Sequence, residues 1–299
     1  MRFSHLSALI AATLLTILTA ATAQAGVVYP HLYVGIDGRE AFTSGAYNGL
    51  ANPNLNRLTF LYAHTFPNPA TNHFHGIGLY SYTGPNLGAN TAINDTSAGF
   101  SIPEQYQLAA STQPLPLLPG TGAYAGMLTT SLGESPNNLY DGTGIRAFAA
   151  LNGTGNNDAQ VLYDNSVLPG TGAFSRYRPS LGTSQIAVEL VSITAGLRVG
   201  DAAGTLLLAN VGDRVNIGIG DAISFNPVFV LDSNVVQTFG AQYRAEFRLI
   251  DTAAVNPALT QSGRFSFISA VAVPEPGTVA LLGAGVLCAA GCVVVRRRK

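Results

Sequence analysis

The apolar residues of this chain fall into short runs of alternating or continuous character, bounded by Gly, Pro, Asn and Asp. In "YRAEFRLID" (243–251), Tyr243, Ala245, Phe247 and Leu249 alternate with Arg244, Glu246 and Arg248. Successive side chains of a strand point to opposite faces, so this segment has one dry face and one wet face. The segments 27–36, 57–66, 73–82, 186–194, 227–232 and 263–273 are rich in β-branched and aromatic residues, and each reads as a strand. From about 84 to 180 Gly, Pro, Asn, Ser and Thr dominate, which predicts long loops with short strands. Convincing helical signals occur almost nowhere in the body. Half-wet sheets bury their dry faces on each other, so the expected fold class is all-β. An antiparallel β-sandwich, Ig-like or jelly-roll-like, with long Gly/Pro/Asn-rich loops fits this pattern.

Both ends break the pattern. Arg2, the apolar stretch Ala8 to Ala21 and the small-x-small site Ala23-Gln24-Ala25 together read as a secretory signal helix, cut by signal peptidase after Ala25. At the other end Pro274, Glu275 and Pro276 hold the backbone extended and close the body. Gly277 to Val295 then runs 19 residues without a charge. At ~1.5 Å per residue a helix of that length matches a hydrocarbon core about 30 Å thick, so a single transmembrane helix is expected. Arg296, Arg297, Arg298 and Lys299 form a positive cap that stays on the cytoplasmic side and leaves the body outside. The organisation is therefore 1–25 signal peptide, 26–272 exported body and 273–299 tail.

Charge and rare residues narrow the chemistry. Leaving out Arg2, the four basic tail residues and Glu275, the body keeps 10 arginines against 15 acids, about −5, which argues against a nucleic-acid partner. Lys299 is the only lysine, so the body has no phosphate-loop lysine, Schiff base or Ser-Lys nucleophile. Both cysteines, Cys288 and Cys292, fall in the tail, which excludes disulfides and thiolate metal sites from the body. Neither His-Glu-x-x-His nor Gly-x-Ser-x-Gly occurs, and the expectation is a protein that is not an enzyme. "LPGTGAY" (118–124) returns as "LPGTGAF" (168–174), which is read as related turn geometry rather than a functional repeat. "DGTG" (141–144) and "GTGNND" (153–158) lack the dense acidic spacing of a calcium loop and read as ordinary turns.

Histidine is the one constellation with chemical potential. Once His5 leaves with the signal peptide, His31, His64, His73 and His75 remain. On a strand, positions 73 and 75 share a face about 6.6 Å apart, a spacing from which two imidazoles reach one ion. His64 and His31 on neighbouring strands would complete three or four nitrogen ligands for zinc, copper or nickel, with Asp37 as a possible oxygen ligand. The plainer alternative is a set of separate histidines beside Tyr62, Phe66 and Phe74.

The order of Val-Pro-Glu-Pro at 273–276, one span and an Arg-rich terminus resembles the PEP-CTERM sorting signal of bacteria with extracellular polysaccharide. That resemblance implies an exosortase that recognises the signal, cuts near Pro-Glu-Pro and releases or re-attaches the body at the outer surface. Its implied partners are signal peptidase, exosortase, the inner membrane in transit, and extracellular polysaccharide. The stretches 31–84, 243–251 and 262–267 resemble a PEP-CTERM subfamily whose members are typically repressed by the zinc-uptake regulator. This implies expression under zinc shortage and carries no established activity. Three readings follow: a non-enzymatic surface or extracellular-matrix protein, a surface or periplasmic zinc-binding protein, and a metal-dependent polysaccharide hydrolase or lyase. The last would need a carboxylate base, for which Glu40 and Glu104 are the candidates.

Overall fold

The computed structural model describes residues 32–43, 45–64, 66, 68–83, 92–95, 101–102, 114–130, 143–155, 157–170, 174–235, 238–253 and 259–272. The signal segment, His31, Glu104 and the whole tail from 273, including its expected transmembrane helix, lie outside them. No helix among the described residues is long and apolar enough to cross a membrane.

In chain order the strands are β1 (Leu32–Ile36), β2 (Leu58–His64), β3 (His73–Ile77), β4 (Tyr80–Thr83), β5 (Ala92–Asp95), β6 (Ser101–Ile102), β7 (Leu115–Pro119), β8 (Leu128–Thr129) and β9 (Ile145–Ala147). A single described α-helix, α1 (Asn157–Ser166), separates these from β10 (Gln185–Ile193), β11 (Leu197–Gly200), β12 (Leu206–Leu208) and β13 (Arg214–Ile219). The run closes with β14 (Ser224–Phe225), β15 (Val228–Leu231), β16 (Gln242–Asp251) and β17 (Phe265–Val271).

Two principal sheets result. A five-stranded sheet has the order β14-β9-β1-β2-β3. A ten-stranded sheet runs β12-β11-β15-β8-β7-β17-β16-β10-β13, with β6 added beside β17. The larger sheet curls until β12 approaches β13, close to a barrel. β4 and β5 form a separate ribbon.

The expected sandwich is present in its main feature, two sheets sharing one core. Val34, Phe60, Tyr62 and Ile77 of the small sheet join Val188, Phe247, Phe265 and Phe267 of the large one in a single buried cluster. Phe60 lies flat on Phe265, ring centroids 3.9 Å apart and planes 4° from parallel. Tyr243, Ala245, Phe247 and Leu249 face this core, as their alternation requires.

Three expectations need correction. The sheets are mixed rather than purely antiparallel, because β9 runs parallel to β1, and β6 and β7 run parallel to β17. Segment 73–82 is two strands: Gly78 turns the chain at φ +74°, and a Cβ there would come within 2.9 Å of the Gly263 carbonyl oxygen. The body also contains a helix. In α1, Ala159, Leu162, Tyr163 and Ser166 recur at i, i+3, i+4, i+7 and are buried, and the three apolar ones pack with Leu61, Ala63 and Phe74 on the outer face of the small sheet. The flanking Gly and Asn residues hid this period. The turn before the helix has Gly153 and Gly155 at positive φ, and the Gly153 N–H donates to Gln160 Oε1 (2.7 Å), as an ordinary turn does.

The outer face of the large sheet is organised by charge. Glu189 on β10 lies opposite Arg214 of β13 and opposite Arg248 of β16. Arg214 Nε donates to Glu189 Oε2 at 2.6 Å and Arg248 Nε to Oε1 at 2.7 Å. Burial pushes the Glu189 carboxyl up, but the hydrogen bonds from Arg248 and Arg214 outweigh it and hold its pKa below the ordinary value.

Phe60→Ala should cost about 3–5 kcal/mol in denaturant unfolding, because it opens a cavity between both sheets. Glu189→Gln should cost about 1–2 kcal/mol at neutral pH, at the low end for charged hydrogen bonds because both arginines reach solvent. A depressed carboxylate pKa contributes stability above its unfolded value and loses it as pH falls through the folded one. The difference between parent and Glu189→Gln should therefore shrink on acidification; a gap that widens toward acid would contradict this account.

Candidate functional site

β2 and β3 form a hairpin that carries the histidines. The connection contains a 3-10 turn, Pro69–Thr71, opened by Asn68, whose side chain accepts the Ala70 N–H at 3.3 Å. The turn closes the pairing so that His64, the last residue of β2, stands directly opposite His73, the first of β3, while Tyr62 stands opposite His75. With a side-chain period of two, His64 follows Phe60 and Tyr62 on the inter-sheet face, and His73 and His75 share that face with Ile77. The three imidazoles thus extend the core face where it meets solvent. His64 is buried, and His73 and His75 are half-buried.

The rings are close. His64 and His75 stack with centroids 3.8 Å apart, and His73 lies 5.5 Å from His64 and 5.2 Å from His75. One ligand nitrogen from each falls within 4.8 Å of the others. Nitrogens around a tetrahedral zinc sit about 3.3 Å apart when each bond is ~2.0–2.1 Å. His73 Nε2 and His75 Nε2 are already 3.2 Å apart. An imidazole lone pair lies in the ring plane, so His64 would have to turn out of its stack on His75 before three nitrogens could meet one ion.

His73 is tied at its other nitrogen. Its Nδ1 lies 2.8 Å from the Thr71 carbonyl oxygen, which can only accept, so Nδ1 carries the hydrogen and neutral His73 presents the lone pair at Nε2. The facing His75 Nε2 then donates in the absence of metal, and a cation would take the place of that hydrogen. Two phenyl rings complete the surroundings: Phe66, already named from the sequence as a neighbour of the histidines, and Phe174, which the sequence did not point to. Phe66 lies 5.5 Å and Phe174 4.7 Å from the His73 ring, both nearly parallel to it.

The other candidates lie elsewhere. His31 is outside the described residues. Asp37 follows the far end of β1, where its N–H meets the Arg57 carbonyl, away from His64 at the opposite end of β2. It is fully buried and accepts Arg176 Nε at 2.7 Å, so it is structural. Beside it Tyr177 has its phenol pushed up to about 12, chiefly by burial. Glu40 sits in the exposed loop at this same end, its carbonyl accepting the Asn52 N–H, and does not join the histidines. The described flanks of the two LPGTGA copies differ, and residues 171–173 of the second copy lie outside the described residues. Leu118 and Pro119 belong to β7 and lead to Tyr124, buried with its hydroxyl donating to the Asp201 carbonyl, whereas Leu168 and Pro169 follow α1 and lead to exposed Phe174.

Comparison with known proteins adds one finding, at the C-terminus. Residues 272–299 match the PEP-CTERM protein-sorting motif. The motif includes Pro274, Glu275, Pro276 and the terminal arginines, Arg296 to Arg298, and it implies an exosortase as processing partner and an exported protein handled at the membrane. No curated protein and no solved structure matches the chain.

Because the Thr71 carbonyl fixes the His73 proton, long-range nitrogen–proton NMR of the metal-free protein at neutral pH should show His73 as the Nδ1–H tautomer. An Nε2–H signal there would remove the proposed lone pair.

Proposed function

We propose that this chain is an exported, exosortase-processed protein of the outer surface or extracellular matrix whose body binds one transition-metal ion through His64, His73 and His75. The observation that carries the metal reading is the convergence of three imidazole nitrogens within 4.8 Å on one face of the β2–β3 hairpin. Neutral nitrogen donors suit zinc, copper or nickel rather than calcium or magnesium, which take oxygen ligands. Zinc is the preferred ion, in line with the body's resemblance to proteins made under zinc shortage. The sorting motif supports the export half of the proposal. We read the role as binding rather than catalysis. A hydrolytic site would need a carboxylate beside the ion; of the two candidates, Glu40 lies at the other end of the sheet and Glu104 is outside the described residues.

Isothermal calorimetry of the full-length protein should give one zinc per chain, with His73→Ala or His75→Ala weakening binding by roughly a hundredfold or more, since each removes a ligand outright. Saturating zinc at about 100 times Kd should raise stability by about 2.7 kcal/mol in the parent and not in the variants. Unchanged affinity in both variants would sink the metal reading.

For the export half, replacing Pro274, Glu275 and Pro276 together with Ala should leave a larger precursor in the inner-membrane fraction. Normal processing and surface appearance of that variant would overturn the sorting assignment.

A further inference from the structure

A metal ligand must be held as well as nearby, and the environment of His73 contains more than its two histidine neighbours. Phe66 lies two residues beyond β2, and Phe174 comes from the distant segment after α1. Both rings nevertheless meet the same imidazole, Phe66 at 5.5 Å and 22° between planes, Phe174 at 4.7 Å and 13°. Phe66 also meets His64 edge-on at 5.8 Å. The two phenyl groups are 43% and 42% exposed and belong to neither main core cluster, so packing of the fold does not account for them. Several other large apolar side chains are as exposed, and what marks these two is that both lie nearly parallel to one imidazole.

The advantage of that arrangement lies in the aromatic quadrupole. The face of a phenyl ring is negative, so an offset parallel approach, already acceptable between neutral rings, becomes more favourable when the facing ring carries positive charge. An imidazole becomes partly cationic when its nitrogen coordinates a divalent ion. We infer that Phe66 and Phe174 are positioning residues for the metal ion, holding the His73 ring so that Nε2 points at the ion and stabilising the charge that His73 acquires on coordination. This rests on the metal-binding reading above. It adds that affinity is set partly by two residues that cannot themselves be ligands.

The test uses full-length protein, zinc calorimetry, the visible absorption of the cobalt-substituted protein, and thermal unfolding of the metal-free form. Phe174→Leu and Phe66→Leu keep an apolar side chain but lose the π-face. Each should weaken zinc binding about 3- to 10-fold. Each should also alter the cobalt ligand-field bands while leaving the metal-free Tm unchanged, and Phe174→Tyr and Phe66→Tyr should restore both properties. If the Leu variants bind zinc as the parent does, the positioning role fails while the trihistidine site stands. If the Tyr variants are as weak as the Leu variants, the π-face account fails in the same way. If the parent binds no zinc, both readings fail together.

Discussion

Strand β2 is buried on both faces, and that single constraint organises the molecule. Its even positions, Leu58, Phe60 and Tyr62, enter the core shared with the large sheet, while Leu61 and Ala63 meet the layer containing α1. A slip of one residue in its pairing with β3 would exchange the two sets and send polar atoms into both interiors. The register that prevents this also places His64 opposite His73. The convergence of the three imidazoles is thus a by-product of core packing: the forces that align Phe60 with Phe265 put them at one rim.

The two ends of the small sheet are used differently. Beyond β1, a fully buried Asp37 is held by Arg176 beside a buried Tyr177, which fixes loops by charge and leaves no ligand capacity to spare. At the other end, the polar groups are imidazoles near solvent, with His73 restrained by one carbonyl and two phenyl rings. The first arrangement resembles the Glu189 row on the large sheet, where one carboxylate is satisfied by two arginines. Such satisfied ion pairs compensate burial, whereas the histidine group brings three imidazole nitrogens within 4.8 Å of one another.

Much of the strand layout could be read from the chain. Residues 243–251 declared both their faces through alternation, and 186–194 and 263–273 fell close to β10 and β17. The helix could not be read as easily, since its four inward residues occupy only ten positions flanked by Gly and Asn, a composition that points to turns. The parallel neighbours β6, β7 and β9 escaped because parallel pairing joins segments far apart in sequence, with no local turn to announce it. The flanks of the repeated LPGTGA differ for a related reason: Leu118 and Pro119 pair within the large sheet, whereas Leu168 and Pro169 follow α1.

What the sequence determined by itself is the chemical inventory and the address. The absence of lysine and cysteine from the body leaves histidine as its nitrogen donor for metals, and the Pro-Glu-Pro, apolar and arginine order at the end marks the chain for sorting. It also placed His73 and His75 on one face, because strand periodicity is local. Only the tertiary structure decided that His64 joins them, that Asp37 does not, and that Phe66 and Phe174 arrive at the same ring. Those outcomes depend on hairpin register and on contacts between segments as much as a hundred residues apart, which arise from the packing of the whole core and leave no mark in any short stretch of chain.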